Sequence, residues 1–128
     1  MAASKVDWKH EPDAHDYPAA ASYLGLLASD ATAGAIVAAL EAAPIVTFKA
    51  KDILRASRLA ALPDTYTHVA KDLAKVKRGQ KLSPVLLVRG DLATDRPLVV
   101  ADGYHRICAS YHLDEDQDIP CRLVDLPS

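Results

Sequence analysis

Aromatic residues are scarce in this chain: one Trp, one Phe and five Tyr among 128 residues. A core must therefore come from aliphatic and small side chains, and the many alanines predict closely packed helices. Cysteine is nearly absent, with Cys108 and Cys121 alone. Two thiols without Cys-x-x-Cys spacing exclude a disulfide framework and predict small buried residues. No apolar run approaches the ~20 residues that cross a bilayer, so no membrane association is expected. The stretch Met1 to Trp8 lacks a basic region followed by an apolar one. It does not read as a signal peptide, and the expected location is cytoplasmic. Internal repeats and low-complexity linkers are also missing. Half of the residues are hydrophobic, enough for the core of one compact domain.

Charge is unevenly spread. Residues 1–43 carry two Lys against six acids, residues 44–90 ten Lys/Arg against three Asp, and residues 91–128 three Arg against eight acids. A basic middle section either faces phosphates, of a nucleotide or a nucleic acid, or coats helices and pairs with acidic neighbours.

Hydrophobic periodicity predicts the elements. Residues 1–16 read as a polar, irregular arm pinned by Trp8. His10, Asp13 and His15 in it match no metal-ligand spacing, and a solvated arm is the expectation. Asp16-Tyr17-Pro18 looks like a helix start, and Ala20, Tyr23, Leu24 and Leu27 continue at helical spacing. Ser29-Asp30 reads as a break and cap, followed by a helix from about Thr32 to Ala42 that Pro44 ends. This hairpin must bury its apolar face on the sheet or on a second copy of the chain. Strands are expected at Ile45–Ala50, Pro84–Val88, Leu98–Ala101 and Pro120–Val124, and helices at Thr67–Arg78 and Tyr104–His112. Lys51 to Leu54 reads as one turn of helix, Gly79 as a helix stop and Asp114–Asp118 as a solvated acidic loop. The predicted class is α+β of α/β type: a small mixed sheet with flanking helices, preceded by the arm and hairpin of residues 1–43.

Chemistry concentrates at Ala101-Asp102-Gly103-Tyr104-His105-Arg106, after the apolar run Pro97–Val100. A strand that passes through glycine into a helix makes a phosphate cradle, because the first N–H groups of the helix are unpaired and its dipole favours an anion. Gly103 would allow close approach of a ligand.

The order of the second half resembles the ParB/sulfiredoxin superfamily. The matching pieces are Gly79-Gln80-Lys81-Leu82-Ser83-Pro84 with the strand after it, Asp102-Gly103-Tyr104-His105-Arg106, and Ile119-Pro120-Cys121-Arg122-Leu123-Val124. Ile45 to Arg58 is placed like the family's first strand and first box. The resemblance covers roughly residues 44–126 and implies a domain over 44–128. It also implies a nucleotide phosphate at the Asp-Gly-x-His-Arg turn. In sulfiredoxins a cysteine of that turn is the nucleophile. Tyr104 stands there in this chain, and Cys108 lies a helical turn later, so sulfiredoxin activity is rejected. In the superfamily's free serine kinases a similar segment holds nucleotide phosphate and a first-box carboxylate is the base. This chain offers only Asp52 in that box. Partition proteins carry Glu-Arg where this chain has Tyr104-His105, and a helix-turn-helix follows there, so a full partition protein is not expected.

Arg106 can grip a phosphate bidentately or pair with Asp102. His105 can donate to phosphate, act as acid or base, or make a structural hydrogen bond. Asp102 can hold Mg²⁺ beside a nucleotide or cap the helix. His105 and Asp102 are the catalytic candidates. Gly103, Tyr104, His105 and Arg106 are the binding candidates, with Arg55, Arg58 and Lys81 as further phosphate contacts. The leading expectation is a nucleotide- or phosphate-binding domain using ATP or another nucleotide with Mg²⁺, with phosphotransfer as its enzymatic form. The competing expectation is a non-enzymatic module for DNA or a partner protein. Nuclease action ranks last for want of clustered carboxylates.

Overall fold

The structure, a computed structural model, describes residues 5–127; residues 1–4, part of the N-terminal segment read above, lie outside it. Nine elements follow one another: α1 (Asp16–Leu24), α2 (Asp30–Ala42), β1 (Ile45–Lys49), α3 (Ala50–Ser57), α4 (Thr67–Lys77), β2 (Val85–Val88), β3 (Val99–Asp102), α5 (Tyr104–Leu113) and β4 (Asp118–Val124). The strands form one mixed sheet in the order β1-β4-β2-β3. β1 runs antiparallel to β4, β4 parallel to β2, and β2 antiparallel to β3. This is the α+β architecture with a small helix-flanked sheet that the pattern predicts.

The alternation of β2 divides the core. Leu86 and Val88 point to one face and pack with Ala20, Leu24, Ile36 and Leu40 of the α1–α2 hairpin. Val85 and Leu87 point to the other face, among Ile53, Val69, Ile107 and Cys108 of α3, α4 and α5. The all-apolar β2 is thus buried on both faces. The hairpin uses its apolar stripe on the sheet, so that stripe is not open to a second copy. Both cysteines are free and buried, as expected, and burial pushes the Cys121 thiol up to about 12. No helix among the described residues is long and apolar enough to cross a membrane.

Local signals explain most boundaries. Ser29 Oγ accepts from Thr32 N at 3.2 Å and caps α2. Gly79, with φ 76°, ends α4. The arm is pinned where Trp8 bridges to Leu82, with Lys9 N donating to Leu82 O at 2.8 Å. Three boundaries differ from expectation. α1 ends at Leu24, with Gly25 still in right-handed helical conformation, and Leu26 and Leu27 are exposed, Leu27 despite its helical spacing. α3 is eight residues long rather than one turn. Its buried positions Ala50, Ile53, Leu54 and Ser57 recur at helical spacing, and Arg58 caps it in the left-handed conformation at φ 59°. β4 starts at Asp118, two residues before Pro120, because its pairing with β1 continues to Lys49.

Candidate functional site

The end of β3 delivers the chain to α5 through Gly103, whose φ of 106° lies in the left-handed region. Its missing side chain serves packing: a Cβ there would collide with Val85 Cγ1 and lie 2.9 Å from Arg106 Nη2. The close approach expected for a ligand is therefore made first by β2. No side chain caps α5. The first helix-closing bond runs from Ile107 N to Gly103 O at 3.0 Å, which leaves the N–H groups of Tyr104, His105 and Arg106 ahead of it. Asp102 does not cap this helix, the role weighed for it above.

Asp102 instead pairs with Arg106, one helical turn on, at 3.2 Å. Arg106 Nη2 also lies 3.8 Å from Asp16 Oδ2 and 3.4 Å from Pro84 O. Asp16, the first residue of α1, is only 2% exposed. Its carboxylate accepts from Ser83 Oγ at 2.9 Å and from Asp13 N at 3.0 Å. Two carboxylates thus share one guanidinium in a nearly dry place. Burial, reinforced by the negative charge of Asp16, outweighs Arg106 and raises the Asp102 carboxyl from 3.8 to about 6. Arg106 is therefore a structural cation whose charge is already matched. The pairing with Asp102 weighed for it in the sequence is thus present, while its side chain still lines the cavity at the start of α5. Asp16 and Ser83 lie 67 positions apart in sequence, and no local pattern joins them. The i,i+4 spacing of Asp102 and Arg106 was the one visible hint.

A cavity of about 340 Å³ opens at the start of α5, lined by Gly103–Arg106 and Asp102 on one side and by His68, Lys71, Asp72 and Lys75 of α4 on the other. Lys71 and Lys75 are exposed and stand one helical turn apart on α4. They belong to the basic section of the sequence, weighed there between facing phosphates and coating helices. The His105 ring stacks on His68, with centroids 4.8 Å apart, and on Tyr66 at 5.5 Å. Burial, then His68, lowers the His105 pKa and favours the neutral ring at pH 7. Burial raises the pKa of Asp72 against the pull of Lys75 and Arg106. Tyr104 lines the cavity, but its hydroxyl donates to the Ala60 carbonyl, so its hydrogen-bonding end is engaged within the chain.

The remaining candidates lie apart. Arg55 and Arg58 line a different cavity with Asp52. Arg58 pairs with Asp95 at 2.5 Å. Lys81 is exposed beside Leu82 and lines neither cavity. The Mg²⁺ role of Asp102 does not fit, because its carboxylate is paired with Arg106 and resists carrying its charge. Asp13, His15 and Asp16 bring ligand atoms within 4.8 Å of one another. Here Asp13 pairs with Lys9 at 2.7 Å and Asp16 with Ser83, so internal partners already occupy them.

Comparison of the chain with protein-family models, with curated proteins and with solved structures finds no match.

Proposed function

We propose that the chain is a phosphate-binding domain of ParB/sulfiredoxin type that takes a nucleotide at the start of α5. The observation that carries this reading is the uncapped N-terminus of α5 opening into a cavity flanked by Lys71 and Lys75. Unpaired N–H groups, a helix dipole and two flexible ammonium groups together suit a terminal phosphate. The resemblance in the Asp-Gly-x-His-Arg turn supports the same placement. Arg106 holds the turn in shape through Asp102 and Asp16, and Lys71 and Lys75 supply the charge. Mg²⁺ arrives with the nucleotide rather than on a resident ligand set. For phosphotransfer, the acid–base group facing the cavity is His105, neutral at pH 7 and able to accept a proton. The cytoplasm is the proposed location, in keeping with two free, buried thiols.

The nucleic-acid reading rests on the ten basic residues of the middle section, three of which are met by acids from later in the chain. Lys51 pairs with Asp116, Arg58 with Asp95 and Arg89 with Asp125, so the acidic third of the sequence answers part of the basic middle.

Calorimetric titration with ATP, ADP and CTP in the presence of Mg²⁺ tests the proposal. We expect saturable binding, weakened about tenfold, or ~1.4 kcal/mol, when Lys71 and Lys75 both become Ala. Absence of heat at millimolar nucleotide overturns it. A salt-dependent gel shift with duplex DNA, without nucleotide binding, favours the binding-module reading instead.

A further inference from the structure

At the other end of β2 lies a larger cavity, of about 760 Å³. Its floor is apolar, with Phe48, Leu98 and Leu123, and its rim carries Arg55, Arg58, Arg89 and Arg96. The acids near this rim are mostly committed elsewhere. Asp95 holds Arg58 at 2.5 Å and Asp125 holds Arg89 at 2.7 Å. Asp91 turns inward on its own loop, accepting from Ala93 N at 3.0 Å and Thr94 Oγ1 at 3.1 Å. Asp52 reaches Arg55 only at 3.9 Å.

Arg96 is left over. Among the described residues its guanidinium has no ion-pair or hydrogen-bond partner, and its Nε is buried and unsatisfied. Such a donor is costly in the free protein; the Nε atoms of Arg106 and Arg122 are orphaned too, but their Nη groups are paired, whereas the charge of Arg96 is left for an entering anion to match. The loop holds Arg96 in place. Asp91 N donates to Arg96 O at 2.8 Å and Arg96 N to Asp91 O at 2.9 Å. Gly90 packs so closely beneath them that a Cβ would lie 2.5 Å from the Arg96 carbonyl oxygen. A guanidinium fixed at the edge of an apolar floor suits a planar anionic head attached to an apolar body.

We propose that this second cavity binds a small amphipathic anion, its carboxylate or phosphate head on Arg96 and Arg55 and its hydrocarbon or aryl body on Phe48, Leu98 and Leu123. The site is separate from the phosphate cavity at α5 and does not depend on it.

Titrating the ¹⁵N-labelled full chain with decanoate, decyl phosphate and decanol, each as a monomer in solution, tests this. We expect saturable shifts of the Arg96 and Leu98 amides with at least one of the two anions, and affinity for decanol about tenfold weaker or worse. Whichever anion binds tighter identifies the head. Arg96→Met should weaken the anion about tenfold, and Arg55→Met, at a side chain 86% exposed, should weaken it severalfold without any risk to folding. The double Lys71→Ala, Lys75→Ala variant should bind the anion as the parent does. Equal affinity for decanol overturns the proposal. So does unchanged affinity in both arginine variants, a response confined to Gly103–Arg106, or no saturable shift with either anion.

Discussion

The two ends of β2 present arginine in opposite states. At the start of α5, Arg106 is half-buried between Asp102 and Asp16, and its charge is matched within the fold. At the far end, Arg96 lines an open cavity with an apolar floor, and no acid among the described residues pairs with it. The arginine inside the Asp-Gly-x-His-Arg turn is therefore paired within the fold, and Arg96 is not. What decides between these roles is the fate of neighbouring carboxylates. Asp102 and Asp16 turn toward Arg106, whereas Asp91 and Asp95 turn away from Arg96 toward their own loop and Arg58.

Replacing the two arginines separates the cases most sharply. Arg106→Met leaves the buried Asp16 and the half-buried Asp102 without their cation and should cost about 2–4 kcal/mol in denaturant unfolding. A change within experimental error would mean that the buried triad does not hold the turn.

The next effect is a pH dependence carried by Asp102. Its carboxyl is raised to about 6 in the folded chain from an ordinary 3.8, so the folded state binds this proton more tightly than the unfolded state. The associated stability is fully present below about pH 4 and is lost as pH rises through about 6. Relative to Asp102→Asn, the parent should lose about 2–3 kcal/mol across that window, since a tenfold difference in proton affinity between the two states is worth ~1.4 kcal/mol. A constant difference between the two proteins from pH 4 to 7 would break the claim that Asp102 is a reluctant partner.

Gly103→Ala should destabilise by about 1–3 kcal/mol, since it forces a side chain into a left-handed conformation and against Val85. Thermal unfolding of that variant reads the effect directly, and an unchanged midpoint would show that the turn can yield. Smallest is Arg96→Met, expected to lose no stability and to gain up to about 1 kcal/mol, because no internal partner is lost and a buried unsatisfied donor is removed. A large loss there would erase the contrast between the two arginines.

The same contrast shows what a sequence can and cannot carry. Ser29 as a cap, Gly79 as a stop and the doubly buried β2 are local patterns, and each was legible from spacing and residue type. The place of the turn before α5 was legible too, since Gly103 between a strand and a helix is a local signal. Its electrostatics were not. Asp16 reads only as a helix start, and its contact with Ser83 and Arg106 exists because α1 packs over β3 and the approach to β2. That Lys71 and Lys75 face the start of α5 follows only from the packing of α4 beside α5, which no local pattern carries. Arg55 and Arg58 follow β1 in sequence, but α3 carries them to the far end of the sheet, away from Gly103.

The central claim is that phosphate sits on the first amides of α5, held by Lys71 and Lys75 rather than by Arg106. Amide chemical shifts followed during titration with ATP and Mg²⁺ test it most directly. The account predicts saturable shifts at Tyr104 and His105 that disappear when Lys71 and Lys75 are both Ala. Shifts absent from the start of α5 while nucleotide binds elsewhere, or shifts there that survive the loss of both lysines, would contradict it.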